Sequence, residues 1–152
     1  MEFTEVKIND VQDILEEMDQ CGEFVMFKNF NKSVIEVMDG YSTSPDFHLF
    51  VLVQDGVQIA LTSTFPNSVK GRISIGYTYV KTGYRGQGNG FTIRNDLVEW
   101  IKAQGFSEIY AKTWKGNVKM VALNKKMGFQ LIEEVKGDRT DGDSTLKFLL
   151  KL

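Results

Sequence analysis

Three glycines fall within five residues in Arg85-Gly86-Gln87-Gly88-Asn89-Gly90, a stretch lying directly between a strand pattern and a helix pattern. Before it, Ile73–Lys81 is rich in Ile, Tyr and Val and reads as a strand. After it, a helix is predicted from about Gly88 to Gln104. Ile93, Leu97, Trp100 and Ile101 form its buried face, and Gly105 is its stop. A strand that feeds a helix through such a loop restricts the chain to folds with helices packed on a sheet. It also suggests an anion site. Successive amide groups can converge there, the helix N-terminus adds roughly half a positive charge, and glycine lets a phosphate approach the backbone. A plain turn needing positive φ angles would use the same residues, so the loop alone leaves both readings open.

Spacing excludes two phosphate motifs. A P-loop requires Gly-Lys-Ser/Thr after a four-residue spacer, which is missing here. A dinucleotide fingerprint requires glycines at offsets of two and five, but these stand at 86, 88 and 90, with Phe91 in the last place.

The rest of the chain shows no repeat, low-complexity stretch or linker, and one domain over residues 1–152 is expected. Residues 2–8 can form a first strand. Asn9 with Gln12 makes a capping-box pattern, followed by Val11, Ile14, Leu15 and Met18 at helical spacing and a stop at Gly22. A second short helix can start at Asn31, with Val34, Ile35 and Met38 on one side and Gly40 as its stop. Phe47–Gln54 and Val57–Phe65 are strands joined by Asp55-Gly56, a strong hairpin signal. Ser107–Thr113 is a further strand. Asn117 can cap a helix burying Met120, Leu123 and Met127 and ending at Gly128. Phe129–Val135 and Ser144–Leu152 read as a closing antiparallel pair around Lys-Gly-Asp-Arg-Thr-Asp-Gly-Asp. The order β-α-α-β-β-β-α-β-α-β-β implies an α/β (α+β) fold: a mixed, mostly antiparallel central sheet with helices on both faces.

A net charge of −2 argues against a general nucleic-acid binder. The first fifty residues hold eleven acids and three bases, and the remainder nine acids and fifteen bases. Two differing solvated faces would explain this. So would an anionic ligand on the C-terminal half and a cationic one on the N-terminal half. The longest purely apolar run, Leu49 to Val53, is far too short to cross a bilayer, and the first twenty residues lack an apolar signal core. The lone Cys21 allows no intramolecular disulfide and reads as a small apolar residue. A soluble cytoplasmic protein with no membrane partner, monomeric or homodimeric, is expected.

Val80-Lys81-Thr82-Gly83-Tyr84-Arg85-Gly86-Gln87-Gly88-Asn89-Gly90 resembles the coenzyme A signature of the GNAT superfamily of N-acetyltransferases. Its core is Arg/Gln, two residues, Gly, one residue, then Gly/Ala, and Arg85, Gly88 and Gly90 fill those places. The stretch from Asn117 to Gly128-Phe129 resembles that family's second coenzyme-binding helix. The resemblance is firm over about residues 72–135 and weak over the N-terminal third. It implies acetyl-CoA as co-substrate, no metal, and a wedge between the fourth and fifth strands. Backbone groups of Thr78, Tyr79 and Val80 would pair with pantetheine. The amides of Gly86, Gln87, Gly88, Asn89, Gly90 and Phe91 would hold the pyrophosphate, beside Arg85. Asn117 and Asn124 would face the pantetheine and thiol end. The acceptor would be a small-molecule or peptidyl amine, and the acidic first fifty residues suggest a cationic one.

Acetyl transfer needs a deprotonated amine and an N–H donor for the developing oxyanion. By resemblance, that donor is the backbone N–H of Val80 or a neighbour. Many family members have a tyrosine where this chain has Asn124, and some have a glutamate near Ser74 or Lys112. No carboxylate stands at either place, so the base is unassigned. Tyr77, Tyr79 and His48 are the candidates for a water relay, and each has an ordinary packing role as its alternative. Asn124 can hydrogen-bond but cannot donate a proton as an acid, so the thiolate is expected to leave unassisted or with water. A non-catalytic acyl-CoA-binding module of the same fold is the rival reading.

Overall fold

The computed structural model describes residues 1–21, 32–139 and 142–152. In chain order these form β1 (Glu2–Val6), α1 (Gln12–Gln20), α2 (Val34–Tyr41), β2 (His48–Gln54), β3 (Val57–Pro66) and β4 (Arg72–Val80). Then follow α3 (Asn89–Ala103), β5 (Glu108–Trp114), α4 (Val118–Lys126), β6 (Gln130–Val135) and β7 (Thr145–Lys151). The element order is the one expected. The strands make one seven-stranded sheet ordered β1-β2-β3-β4-β5-β7-β6. Every pairing is antiparallel except β4 with β5.

Period-two alternation sorts the side chains. On β2, Leu49 and Val51 face a core shared with Ile14, Leu15 and Met18 of α1 and Val34 and Met38 of α2. Phe50 faces the opposite core, with Leu97 and Ile101 of α3 and Phe148 of β7. Val121 and Met127 pack against that second core. α1 and α2 thus cover one face of the sheet, and α3 and α4 the other.

Several boundaries differ from expectation. A 3-10 turn over Ile8–Val11 precedes α1 and includes Asn9, so Asn9 is not the cap. Asp10 instead accepts a hydrogen bond from the Lys7 amide at 3.0 Å. The expected stop at Gly22 and start at Asn31 lie outside the described residues. α2 begins at Val34, capped by Ser33 in a reciprocal pair with Glu36, and runs through Gly40 to Tyr41. Asp55 and Gly56 take positive φ values of 49° and 77°, as a tight hairpin turn requires. In α4, Met120, Leu123 and Met127 are only half-buried, while Asn124 is fully buried.

One irregularity shapes the sheet's centre. β4 and β5 pair from Arg72–Glu108 to Ile75–Ala111 and then stop, although β4 continues to Val80 and β5 to Trp114. The split begins at Gly76. A Cβ there would collide with the Phe65 ring and Ser63 Oγ. Opposite it, the β3–β4 register shifts between Thr62 and Thr64, and Ser63 Oγ accepts from the Tyr77 amide at 3.1 Å.

Candidate active site

Two cavities meet at this split. The smaller, about 530 Å³, is lined by Thr78, Tyr79 and Val80 on the free edge of β4, by Arg85, Gly86, Gly88, Asn89 and Gly90, and by Asn117 at the start of α4. The larger, about 780 Å³, runs from Val37, Tyr41 and Tyr77 to Lys112, Thr113 and Arg94. Thr78, Trp114, Asn117 and Met120 line both, so they form the passage between them.

The glycine loop is held from below. Gly86 and Gly88 have φ values of 75° and 81°, and Gly88 is the N-cap of α3. A Cβ at either would meet nothing within 4 Å, so the loop's outer side is open. Asn89 is buried and donates from Nδ2 to the Tyr84 carbonyl at 2.9 Å, which pins the loop from inside. Arg85 Nε donates to the Val80 carbonyl at 2.8 Å, and its guanidinium lies 5.1 Å from the centre of the Tyr79 ring. The loop amides and the α3 N-terminus therefore face an open cavity with partial positive charge. Gln87 and Phe91 are exposed and line neither cavity; Lys126 Nζ sits 4.8 Å from the Phe91 ring centre.

Asn117 caps α4, its side chain accepting from the Met120 amide at 3.2 Å. Such a cap contributes about 1 kcal/mol. Asn124 departs from expectation: it lines neither cavity. Its Oδ1 accepts from Arg94 Nη2 at 2.9 Å and its Nδ2 donates to Thr113 Oγ1 at 3.0 Å, both in buried surroundings. A side chain with both ends engaged between α3 and β5 does not turn toward the wedge.

Of the three relay candidates, Tyr77 and Tyr79 reach the site. Burial, aided by the Asp19 charge, pushes the Tyr77 hydroxyl up to about 12. Burial and the Glu17 carboxylate do the same for Tyr79, which donates to Glu17 Oε1 at 2.9 Å. Both are therefore neutral at ordinary pH. His48 lines neither cavity. Its Nδ1 lies 2.8 Å from Glu5 Oε2 and its Nε2 3.0 Å from the Pro45 carbonyl, with the ring packed beside Trp100.

The larger cavity is basic. Arg72, Arg94, Lys112, Arg139 and Lys147 line it, with Glu133 as the one carboxylate of the lining among the described residues. Arg72 pairs with Glu108 at 3.4 Å and Lys147 with Glu133 at 3.1 Å. Burial holds the Lys112 ammonium below its ordinary range, and the Lys147 and Arg139 charges add to this. Among the described residues, the first fifty contribute only Val37 and Tyr41 to this lining. Of that segment's acids, Asp19 acts on this lining through Tyr77, whose hydroxyl its charge helps to push up. Ser74, one of the two places without a carboxylate, accepts from Asn67 Nδ2 at 2.9 Å.

Arg94 belongs to the site although no motif marks it. It stands on the apolar stripe of α3, one residue after Ile93 and three before Leu97, and that position was a signal of burial. No motif marks Trp114 either. Its Nε1 donates to Asp143 Oδ2 at 2.9 Å, and its ring packs over Gly116, fixing the turn into α4.

Among the described residues, no helix is long and apolar enough to cross a membrane. No curated protein matches the chain in sequence. In structure, the chain is similar to the ribosomal-protein-S18-alanine N-acetyltransferase of Escherichia coli, with 18% identity and a TM-score of 0.79 over 99% of this chain and 92% of that one. It is similar to a ribosomal-protein-alanine N-acetyltransferase of Brucella melitensis, with 16% identity and a TM-score of 0.83 over the whole of both. A chain of the NatC complex bound to Gag peptide and CoA is 17% identical, with a TM-score of 0.78 over 99% of this chain and 98% of that one. The sequence profile of the Acetyltransferase (GNAT) family matches residues 10–129. With well over half the chain matched and the fold in agreement, this protein belongs to the GNAT acetyltransferase family and is an acyltransferase.

Proposed function

We propose that the protein, as one acetyltransferase domain, moves the acetyl group of acetyl-CoA onto a primary amine of a small molecule or peptide by direct attack on the thioester. The observation that carries this is the split between β4 and β5, which opens one cavity under a phosphate-suited loop and joins it to a second cavity through a short passage. In this reading the amides of Gly86, Gly88 and Gly90 with the α3 N-terminus hold the pyrophosphate. The free β4 edge at Thr78–Val80 pairs with pantetheine, and the backbone N–H of Val80 or a neighbour receives the oxyanion. The Asn117 Oδ1 stays on the α4 cap, and the residue lines both cavities.

The amine enters from the larger cavity. The cations there favour an acceptor that carries a carboxylate or another anionic group near its amine. With Tyr77 and Tyr79 neutral, the ammonium proton passes to water before attack.

Thiol release from acetyl-CoA, measured across a panel of amines, tests the reading. Turnover is expected with at least one amine, fastest among those bearing a nearby anionic group. Coenzyme binding without turnover on any amine would favour the non-catalytic coenzyme-binding module.

A further inference from the structure

Arg94 carries a buried charge with no counter-ion among the described residues. It is 2% exposed and forms no ion pair among the described residues. Its guanidinium donates to neutral groups only: Asn124 Oδ1 at 2.9 Å, Met120 Sδ at 3.1 Å and Thr78 Oγ1 at 3.4 Å. The Phe129 ring centre lies 5.6 Å away. Its Nε is buried without a hydrogen-bond partner. Burial pushes it down to about 10, so it remains a cation at neutral pH.

An unpaired buried cation costs several kcal/mol, and an apolar side chain on the α3 stripe would avoid that cost. The position explains what offsets it. Two of the three acceptors, Thr78 and Met120, belong to the passage where the cavities meet. A charge held there, desolvated and oriented by Asn124, is preorganised for an anion that exists only transiently.

We propose that Arg94 is a catalytic residue whose guanidinium meets the coenzyme sulfur as the carbon–sulfur bond breaks and holds the departing thiolate. The inference rests on reading the two cavities as coenzyme and acceptor sites. The amine nitrogen bonds to the carbonyl carbon and gives its proton to water in the larger cavity. Collapse of the tetrahedral intermediate then breaks the carbon–sulfur bond, and the electron pair goes to sulfur. The thiolate leaves paired with Arg94 and takes a proton from solvent on release. Arg94 thereby supplies, by charge, the leaving-group assistance that Asn124 cannot give by proton donation.

The test is the titration of the thiol of bound coenzyme A, followed by thiolate ultraviolet absorbance in wild type, Arg94→Met and Arg94→Lys. In wild type the bound thiol should titrate at least about one pH unit below the ~8.5 of an ordinary thiol. In Arg94→Met it should titrate at or above that value, with Arg94→Lys between. The kcat of Arg94→Met should fall by ~10²-fold or more, with little change in acetyl-CoA KM. Should Arg94→Met fail to fold, wild type alone decides: its preference for coenzyme A over desulfo-coenzyme A should rise from pH 7 to pH 9. A bound thiol that titrates alike in wild type and Arg94→Met, or a preference flat with pH, overturns the proposal. Wild type that binds no coenzyme A overturns the cavity assignment itself.

Discussion

Arg94 Nη2 donates to Asn124 Oδ1 at 2.9 Å across the buried contact between α3 and α4. Asn124 in turn donates to Thr113 Oγ1 at 3.0 Å, so the pair ties both helices to β5 behind the passage between the cavities. Removing Asn124 affects Arg94 before it affects any ligand.

Asn124→Ala should therefore act on stability and turnover, not on coenzyme affinity. Leaving a buried charged donor without its acceptor costs roughly 1–3 kcal/mol, which lowers the melting temperature of a chain this size by several degrees. The kcat should fall with the loosened guanidinium, while acetyl-CoA KM stays within about threefold, because uniform binding is untouched. Melting curves and steady-state kinetics of the purified variant check both.

Tyr79 gives the fold a pH dependence with a definite sign. Its hydroxyl, pushed up to about 12 by burial and Glu17, releases its proton later in the folded chain than in the unfolded one. Its stabilising contribution is complete below pH 10 and is lost as pH rises from about 10 to 12. Tyr79→Phe should be less stable than wild type at pH 8, and the gap should narrow across that alkaline window. Denaturant titrations at a series of pH values measure it; a gap that widens above pH 10 contradicts the assignment.

In the proposed reading, the basic lining of the larger cavity favours an anionic group beside the acceptor amine. An amine with a neighbouring carboxylate should be acetylated with a kcat/KM about tenfold or more above its neutral amide counterpart, since one good charged hydrogen bond is worth roughly 1.5–3 kcal/mol. Lys112→Gln should raise the KM of the carboxylate-bearing acceptor, leave acetyl-CoA KM unchanged and weaken the salt dependence of the reaction. Equal kcat/KM for the two acceptors would contradict the preference.

What the sequence disclosed was local. The spacing of Gly86, Gly88 and Gly90, the Asn117 cap and the Asp55-Gly56 turn depend on neighbouring residues, and the structure bears out their geometry. What depended on distant contacts was hidden. The insertion of β7 between β5 and β6 follows from pairing across the sheet, which no window of sequence carries. The need for glycine at 76, where the split begins, comes from Phe65 and Ser63, which only the fold brings near. The charge count over residues 1–50 carries no position: among the described residues, that segment gives the larger cavity's lining only Val37 and Tyr41. Motif position alone puts Asn124 at the thiol end, and only tertiary packing shows that Arg94 claims it. Arg94 itself was legible in principle, as a charge on an apolar helical stripe, which demands an explanation wherever it occurs.

The proposed hold of the glycine loop on the pyrophosphate of coenzyme A is tested most directly by a calorimetric titration of wild type, Gly88→Asp and Gly88→Asn. At a φ of 81°, both substitutions carry similar backbone strain, but only aspartate brings a negative charge to the loop. Wild type should bind one coenzyme A per chain with micromolar affinity, and a ligand at ~100 times its dissociation constant should stabilise it by roughly 2.7 kcal/mol. Gly88→Asp should lose ~100-fold or more in affinity, about 2.7 kcal/mol, with Gly88→Asn losing distinctly less. No binding by wild type, or equal affinity in wild type and Gly88→Asp, would contradict the claim.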